Sequence, residues 1–249
     1  MGILEIRNLK AFVGKKEILK NINISFERGK FYGIIGPNGT GKSTLFSAIT
    51  GIIKDIKGDI FIKGDNIKYY SIDDLSREIS LMSQEFQIKF PYTIEEIVAM
   101  GRFPFCGRNL KSKDIDIINR SLEDTELIKI KKKKITELSG GETQRVFFAK
   151  TICKNTDIIL IDEGFSNADI YYKIKFLKLI KEKAKEENKT IIFIMHDLQI
   201  ARKYCDELVI LNKGSVYNFG KSSEVLNKTA LKDVFNIKGE FIKDSLEVY

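Results

Sequence analysis

The first part of the chain has the hydrophobic pattern of β-strands. Residues 3–13, ILEIRNLKAFV, alternate apolar and polar positions with a period near two. The same β-rich character continues through residues 18–36, and residues 57–67 hold a further strand pattern that is bounded by Gly58 and Gly64. This pattern predicts several strands early in the chain.

The later strands have a different pattern. Residues 157–162 and 191–195 are almost continuously apolar, lysine-rich helical sequence lies between them, and residues 207–220 are again β-rich. Apolar strands separated by a helix are typical of a parallel sheet that is covered on both faces. We therefore expect an α/β fold.

The middle of the chain changes to helical spacing. Apolar residues recur with a helical period in residues 93–101, 114–127 and 141–153. No tandem repeat or low-complexity linker interrupts the sequence, so one continuous domain is predicted for residues 1–249. Its α/β core would comprise residues 1–87 and 151–249, with a helical insertion at residues 88–150.

A glycine-rich segment predicts a site for nucleotide phosphates. Residues 36–43 match G-x-x-x-x-G-K-[ST], with an apolar strand before them and a helical segment after them. Such a loop directs backbone N–H groups at phosphate oxygens, with Lys42 on the β- and γ-phosphates and Ser43 on Mg²⁺. A chance glycine-rich turn would lack this strand-to-helix context. The predicted ATP-binding residues are Gly36, Pro37, Asn38, Gly39, Thr40, Gly41, Lys42, Ser43 and Thr44.

Two strand ends carry polar residues suited to phosphate chemistry. Asp162 and Glu163 end one buried strand, where ligands bind in open α/β sheets. Asp162 is positioned to hold Mg²⁺, and Glu163 to act as a general base on water. His196, the single histidine, follows the strand at residues 191–195. Taken alone, that segment favours an inert histidine at a strand terminus.

A second anion site is predicted at the start of a later helix. Ser139 stands three residues before Glu142, which is the spacing of a capping box. The cap leaves Ser139, Gly140 and Gly141 exposed at the positive end of the helix. Only the first phosphate site has a lysine, so two copies arranged head to tail would complete each other.

These motifs resemble those of one family. GPNGTGKST, LSGGETQR, IILIDE and IMHD occur in the order and spacing of the ATP-binding-cassette ATPases, and the resemblance covers nearly the whole chain. It implies a P-loop NTPase core with a parallel sheet, an antiparallel β subdomain and an inserted helical subdomain. It also implies ATP and Mg²⁺ as cofactors, and a homodimer that encloses two ATP molecules.

The resemblance also implies roles for single residues. Gln84 would sense Mg²⁺ and the γ-phosphate, taking part in metal binding and catalysis. His196 would contact the γ-phosphate and the attacking water, and Asp169 would contact the dimer partner. The signature residues that act on the opposite subunit's ATP would be Ser139, Gly140, Gly141 and Glu142.

The chain departs from the family pattern at two places. Gly164 and Phe165 stand where a proline and a threonine usually follow the catalytic glutamate, so turnover is expected to be unusual. The aromatic residue that stacks on adenine usually precedes a glycine, but here Val13 precedes Gly14. The nearest aromatic residue is Phe12, which would either stack on adenine or belong to the core.

The composition indicates where in the cell the protein is expected to be. The net charge is +8, but the basic run at residues 131–134 has no interleaved aromatic residues, which favours an anionic membrane surface over nucleic acid. Three scattered cysteines fit a reduced cytosolic chain. No apolar run approaches the roughly 20 residues that span a bilayer. We expect a peripheral protein at the cytoplasmic face of the cell membrane.

Residues 90–105, FPYTIEEIVAMGRFPF, bear on the partner. They resemble the same region in ATPases of bacterial importers of iron-siderophores, haem and cobalamin. The alternative is an ordinary amphipathic helix that ends at Gly101 and Pro104. The importer resemblance implies integral membrane permease subunits, a periplasmic or surface-anchored substrate-binding protein, and no nucleic acid. A groove near residues 84–105 would hold a short cytoplasmic helix of the permease.

Other cassette proteins are possible in principle. DNA-repair members carry long coiled coils between the phosphate loop and the signature, and here Lys42 and Ser139 are too close for that. Translation factors of the family carry two cassettes. The remaining alternative is the soluble cassette ATPase of iron–sulfur cluster assembly, which shares the length and motifs but not the AMGRFP string.

Overall fold

The computed structural model describes residues 2–83, 90–107, 109–163, 169–242 and 245–248, which form a series of strands and helices. The strands are β1 (Leu4–Val13), β2 (Lys16–Phe26), β3 (Phe31–Ile35), β4 (Ile56–Ile62), β5 (Asp65–Asn66), β6 (Ile79–Met82), β7 (Ile158–Asp162), β8 (Thr190–Ile194), β9 (Glu207–Asn212), β10 (Ser215–Lys221), β11 (Gly239–Ile242) and β12 (Ser245–Val248). The helices are α1 (Lys42–Ile49), α2 (Ile72–Glu78), α3 (Ile94–Ala99), α4 (Phe103–Cys106), α5 (Ser112–Asp124), α6 (Gly140–Cys153), α7 (Ile170–Glu186), α8 (Leu198–Tyr204), α9 (Ser222–Val225) and α10 (Lys228–Phe235).

The early alternating segments form an antiparallel sheet in the order β2-β1-β4-β5. Leu4 of β1 lies opposite Phe26 of β2 on one side and Ile62 of β4 on the other. Along the second half of β2 every other residue is buried, which is the pattern of a sheet with one face on the core. The strands predicted from this alternation are confirmed.

The central sheet has the order β10-β9-β3-β8-β7-β6, and its neighbours are parallel except for the edge strand β10, which pairs antiparallel with β9. Ile34 of β3 pairs with Ile194 of β8, and Ile194 pairs with Asp162 of β7. The carboxyl ends of these three strands therefore meet at one edge of the sheet.

Burial on both faces explains the continuous apolar pattern of the central strands. Phe31 and Ile35 belong to one core cluster, while Tyr32 and Ile34, on the opposite face of β3, belong to the other. Each face is covered, so neither set of side chains needs to be polar. The expected parallel sheet of an α/β fold is confirmed.

The helical sequence in the middle of the chain forms α3, α5 and α6, which pack against one another, and α6 also packs against β6. α6 continues past residue 150 to Cys153, and the division into a core and an insertion at residues 88–150 stays a prediction. α3 ends at Ala99, and Pro104 lies in the first turn of α4 instead of ending a helix. Proline is accepted there because the N–H of a first-turn residue has no partner within the helix.

Some parts of the fold were not predicted, among them α2, β6, α8 and the end of the chain. β6, with the sequence ISLM, is too short for its pattern to distinguish a strand from a helix, and it extends the sheet beside β7. The elements α9, α10, β11 and β12 form the end of the chain. Among the described residues, no helix combines the length and apolar character needed to cross a membrane.

Candidate nucleotide-binding site

The phosphate loop connects the central strand β3 to α1, and the backbone geometry explains why two of its positions are glycine. A Cβ on Gly36 would lie 2.2 Å from the carbonyl oxygen of Leu211, so a larger residue would displace backbone. Gly41 precedes α1 with φ near 100°, a conformation that side chains disfavour. The loop thus approaches β9 closely and turns directly into α1. A glycine-rich loop that leads into a helix N-terminus is an arrangement that can receive an anion at its backbone N–H groups.

Lys42 is held inside this loop. Its Nζ donates hydrogen bonds to Gly36 O (2.8 Å) and Pro37 O (3.0 Å), and the side chain is buried. Burial lowers the pKa of Lys42, while the nearby carboxylates of Glu163 and Asp162 oppose that shift. Phosphate oxygens could accept from the same ammonium, since a lysine ammonium has three N–H donors.

Asp162 has the features of a carboxylate that binds a cation. It is buried, and its Oδ1 has no hydrogen-bond partner, the one such buried side-chain atom in the described part of the chain. Burial raises the pKa of Asp162, against a hydrogen bond with Ser43 and the charge of Lys42. A carboxylate oxygen and a serine hydroxyl are hard oxygen ligands, and Mg²⁺ usually takes few protein ligands beside substrate phosphates. These residues therefore fit Mg²⁺.

Glu163 and His196 meet across the ends of β7 and β8. Glu163 Oε1 and His196 Nε2 are hydrogen-bonded to each other. Glu163 has a positive φ of 51°, which is uncommon for a residue other than glycine. The side chain of His196 is 46% exposed. The hydrogen bond is what an inert strand-end histidine would also make, while the exposure leaves the imidazole open to the cavity that it lines.

The loop and the two strand ends enclose one cavity of about 390 Å³. Residues predicted for phosphate binding and for catalysis thus line the same cavity, and their roles in binding and hydrolysing ATP stay predictions. Thr40 lies beneath the loop, with its Oγ1 donating to Pro37 O at 2.9 Å. The residues that line the cavity are Asn38, Gly39, Gly41, Lys42, Ser43, Thr44, Glu163 and His196.

The signature segment lies at the N-terminus of α6. Ser139 Oγ accepts from the backbone N–H of Glu142, and Glu142 Oε2 accepts from the backbone N–H of Ser139, so the predicted capping box is confirmed. Ser139 and Gly140 are exposed, and a Cβ on Gly140 would meet nothing within 4 Å. Neither residue lines the cavity around Lys42. Within one chain, the two predicted anion sites are therefore separate.

Other predicted site residues have local contacts or lie outside the described ranges. Asp169 is exposed and caps α7, with Oδ1 accepting from Tyr172 N at 3.0 Å. Gln84, Gly164 and Phe165 are outside the described residues.

Phe12 has neither of its two expected environments in full. It is half-buried on β1, with the Lys57 ammonium 5.7 Å from the ring centroid. It belongs to neither described core cluster, so the core alternative is not supported. It does not line the cavity around Lys42 either, so adenine stacking stays a prediction.

Asp197, the last residue of the IMHD string, was given no role by the sequence. Asp197 caps α8, with Oδ1 accepting from Ile200 N at 3.0 Å, and Lys173 Nζ lies 4.0 Å from its Oδ2. The cap fixes the turn that follows His196. An aspartate immediately before a helical segment was the available signal.

Comparisons with known proteins identify the family. The ABC transporter family model matches residues 19–166. The petrobactin import ATP-binding protein YclP of Bacillus subtilis is 34% identical over 94% of this chain and 93% of its own length. The iron(3+)-hydroxamate import ATP-binding protein FhuC of the same organism is 32% identical over 98% of this chain and 91% of its own length.

Solved structures agree with the sequence relatives. A chain of an inward-facing ABC transporter assigned to the metal-chelate type has a TM-score of 0.82 and 26% identity, and covers 100% of this chain and 96% of its own. A dimeric ATP-binding cassette bound to ADP and phosphate has a TM-score of 0.78 and 27% identity, with 88% of this chain and 98% of its own covered. The chain belongs to the ABC transporter family as an ATP-binding subunit with a P-loop NTPase fold.

Proposed function

We propose that this chain is the ATPase subunit that powers an importer of a metal chelate, such as an iron-siderophore, haem or cobalamin. The observation that carries the ATPase assignment is the single cavity shared by Lys42, Glu163 and His196. The relatives named for petrobactin and iron-hydroxamate import support the transported class.

Each side chain in the cavity would have its own role in the hydrolysis of ATP. Lys42 and the loop N–H groups hold the β- and γ-phosphates, so the terminal phosphate points toward the ends of β7 and β8. Glu163 accepts a proton from the attacking water, and His196 orients that water and the γ-phosphate. Ser43 and Asp162 would hold Mg²⁺, which neutralises charge on the phosphate oxygens when it is bound.

The separation of the two anion sites supports the proposed dimer. The capped end of α6 is exposed and has room beside Gly140, but it is not part of its own chain's cavity. A second copy, placed head to tail, would bring Ser139, Gly140, Gly141 and Glu142 to the first copy's ATP. Asp169, at the exposed start of α7, would contact the partner. The dimeric cassette with a related fold supports this arrangement.

A groove of about 770 Å³ is the proposed contact with the permease. Met100, Gly101 and Pro104, from the string that resembles the importers, line one wall. Ile52 and Ile72 line it as well, with 66% and 84% of their surface exposed, respectively. A short cytoplasmic helix of the permease would cover these apolar side chains. The chain would then lie at the cytoplasmic face of the membrane, with a substrate-binding protein on the other side.

Reconstitution tests this function. The tagged chain would be purified with its membrane partners, placed in liposomes, and assayed for ATP hydrolysis with iron-siderophore, haem and cobalamin in turn. We expect a polytopic membrane protein to co-purify and one chelate to stimulate hydrolysis, with Lys42→Ala as the inactive control. Co-purification with a soluble scaffold protein instead would favour the ATPase of iron–sulfur cluster assembly.

A further inference from the structure

The groove proposed as the permease contact has an unbalanced charge. The described residues that line it include four lysines and no aspartate or glutamate. One of them, Lys68, is neutralised outside the groove by Asp59 at 2.8 Å. The charge that remains comes from the other three: Lys54, Lys150 and Lys154.

Lys54 and Lys68 are exposed, whereas Lys150 and Lys154 are half-buried and lie on the last turn of α6 and just after it. They are four residues apart and therefore project from the same face of the helix. Lys154 Nζ donates to Ile79 O at 2.9 Å. Among the described residues, no acidic side chain pairs with either ammonium. Burial lowers the pKa of both, and the charge of Lys150 lowers that of Lys154 further, to about 8.

Such an arrangement costs folding free energy in the isolated chain. A partly buried ammonium loses hydration, and two like charges close together repel each other. The lost free energy is recovered when an opposite charge enters the groove and pairs with both groups. The apolar rim formed by Ile52 and Ile72 requires in addition that the occupant be amphipathic.

We propose that the groove recognises an amphipathic cytoplasmic segment of the permease through a carboxylate that pairs with Lys150 and Lys154. This inference deepens the proposed function and rests on it, since it requires a permease partner. Burial of the apolar rim formed by Ile52 and Ile72 supplies most of the binding free energy. The two lysines determine which partner is bound. Complementary charge at a contact acts chiefly on specificity and orientation.

Neutral substitutions of the lysines test the proposal. Lys150→Met and Lys150→Met/Lys154→Met keep an unbranched side chain, one heavy atom shorter, and remove the charge. We expect the amount of permease retained on the tagged chain to fall at least about tenfold, the effect of removing one side of a desolvated charge pair. Lys68→Met is the matched control, because that lysine already has Asp59 as a partner, and it should retain the permease.

The isolated chain provides the folding control. Lys150→Met should leave its ATP hydrolysis unchanged and its thermal stability equal or higher, because an unpaired ammonium is removed. Weaker permease binding together with unchanged or raised stability separates a recognition role from a structural one. The single variant keeps the Lys154 contact with Ile79 O, so misfolding would not explain its result.

Charge reversal identifies the partner group. Each acidic residue in the permease's cytoplasmic loops would be changed to lysine and combined with Lys150→Glu. Recovery of binding by one such combination would assign the carboxylate.

If the neutral variants retain the permease at the wild-type level, the charge proposal is wrong while the proposed function stands. If no permease is retained even by the wild type, the proposed function fails. If the variants instead lose binding to phosphatidylglycerol vesicles and keep the permease, the site binds a lipid headgroup and the proposal is overturned.

Discussion

Glu163 and His196 are 33 residues apart in sequence, and their side chains are hydrogen-bonded at the ends of adjacent parallel strands. The pairing of β7 with β8 places Asp162 opposite Ile194, so both strands end at the same level. The contact brings a carboxylate and an imidazole to one wall of the phosphate cavity.

The histidine prediction follows from this contact. His196→Ala should lower the turnover of ATP by about a hundredfold or more, the usual size of a lost acid–base or orienting group, and should leave nucleotide affinity nearly intact. Phosphate release and equilibrium binding of a fluorescent ATP analogue measure the two effects. His196→Gln, which keeps a hydrogen-bond donor near Glu163, is the conservative control. Retained turnover with reduced thermal stability would show a purely structural histidine.

The glutamate prediction joins catalysis to assembly. Glu163→Gln keeps the shape of the side chain and removes the base, so ATP should bind and remain intact. We expect a monomer without nucleotide and a stable dimer with Mg-ATP in size-exclusion chromatography, with phosphate release abolished. Glu163→Gln/Lys42→Ala should stay monomeric, because the phosphates lose their cation. Wild-type phosphate release by Glu163→Gln would place the base elsewhere.

The signature prediction must separate two roles of Ser139. Ser139→Arg should leave ATP binding by the monomer intact and block ATP-dependent dimerisation and hydrolysis, because a long side chain would fill the space beside Gly140. It also removes the cap of α6, at a cost of about 1 kcal/mol in the free energy of unfolding. Ser139→Ala loses the same cap without adding bulk and controls for that effect. Light scattering with Glu163→Gln as background reports the dimer, and dimerisation of the arginine variant would exclude the proposed interface.

The adenine prediction concerns Phe12. If its ring stacks on the base, Phe12→Ala should weaken ATP binding about tenfold, since one such stack is worth roughly 1–3 kcal/mol. The exposed neighbour Val13 supplies the control Val13→Ala, which should bind ATP normally. Calorimetric titration of both variants measures the affinity. An unchanged affinity for Phe12→Ala would remove this residue from the nucleotide site.

The pH prediction uses the lowered pKa of Lys154, about 8. An unfolded lysine titrates near 10.4, so between these values the unfolded chain binds more protons than the folded one. The contribution of Lys154 to stability therefore rises with pH above about 8 and is lost as pH falls through that value. The difference in unfolding free energy between wild type and Lys154→Met should shift by about 1 kcal/mol in favour of wild type from pH 7 to pH 9. Denaturant titrations of the isolated chain measure it, and a pH-independent difference would contradict the shifted pKa.

Two features could be derived from sequence because their interactions are local. The phosphate loop needs only residues 36–43 and the strand and helix on either side, and the capping box needs only residues 139–142. In both, the hydrogen-bonding groups are close along the chain, so the spacing of residue types is enough to predict the local geometry. The two-faced burial of β7 and β8 was readable for a similar reason, because short, continuously apolar segments on either side of a helix are typical of parallel strands covered on both faces.

Other features depended on which strands became neighbours. The register of β7 against β8 decides that Glu163 meets His196, and the unpredicted strand β6 supplies Ile79, whose carbonyl oxygen holds Lys154. The groove gathers residues from Ala48 to Lys154, and only their packing leaves Lys150 without an acidic partner among the described residues. The sequence by itself determined the chemistry of the phosphate loop and the family. Strand pairing and helix packing decided which of the distant charged groups share a site, because those contacts join residues that no local spacing relates.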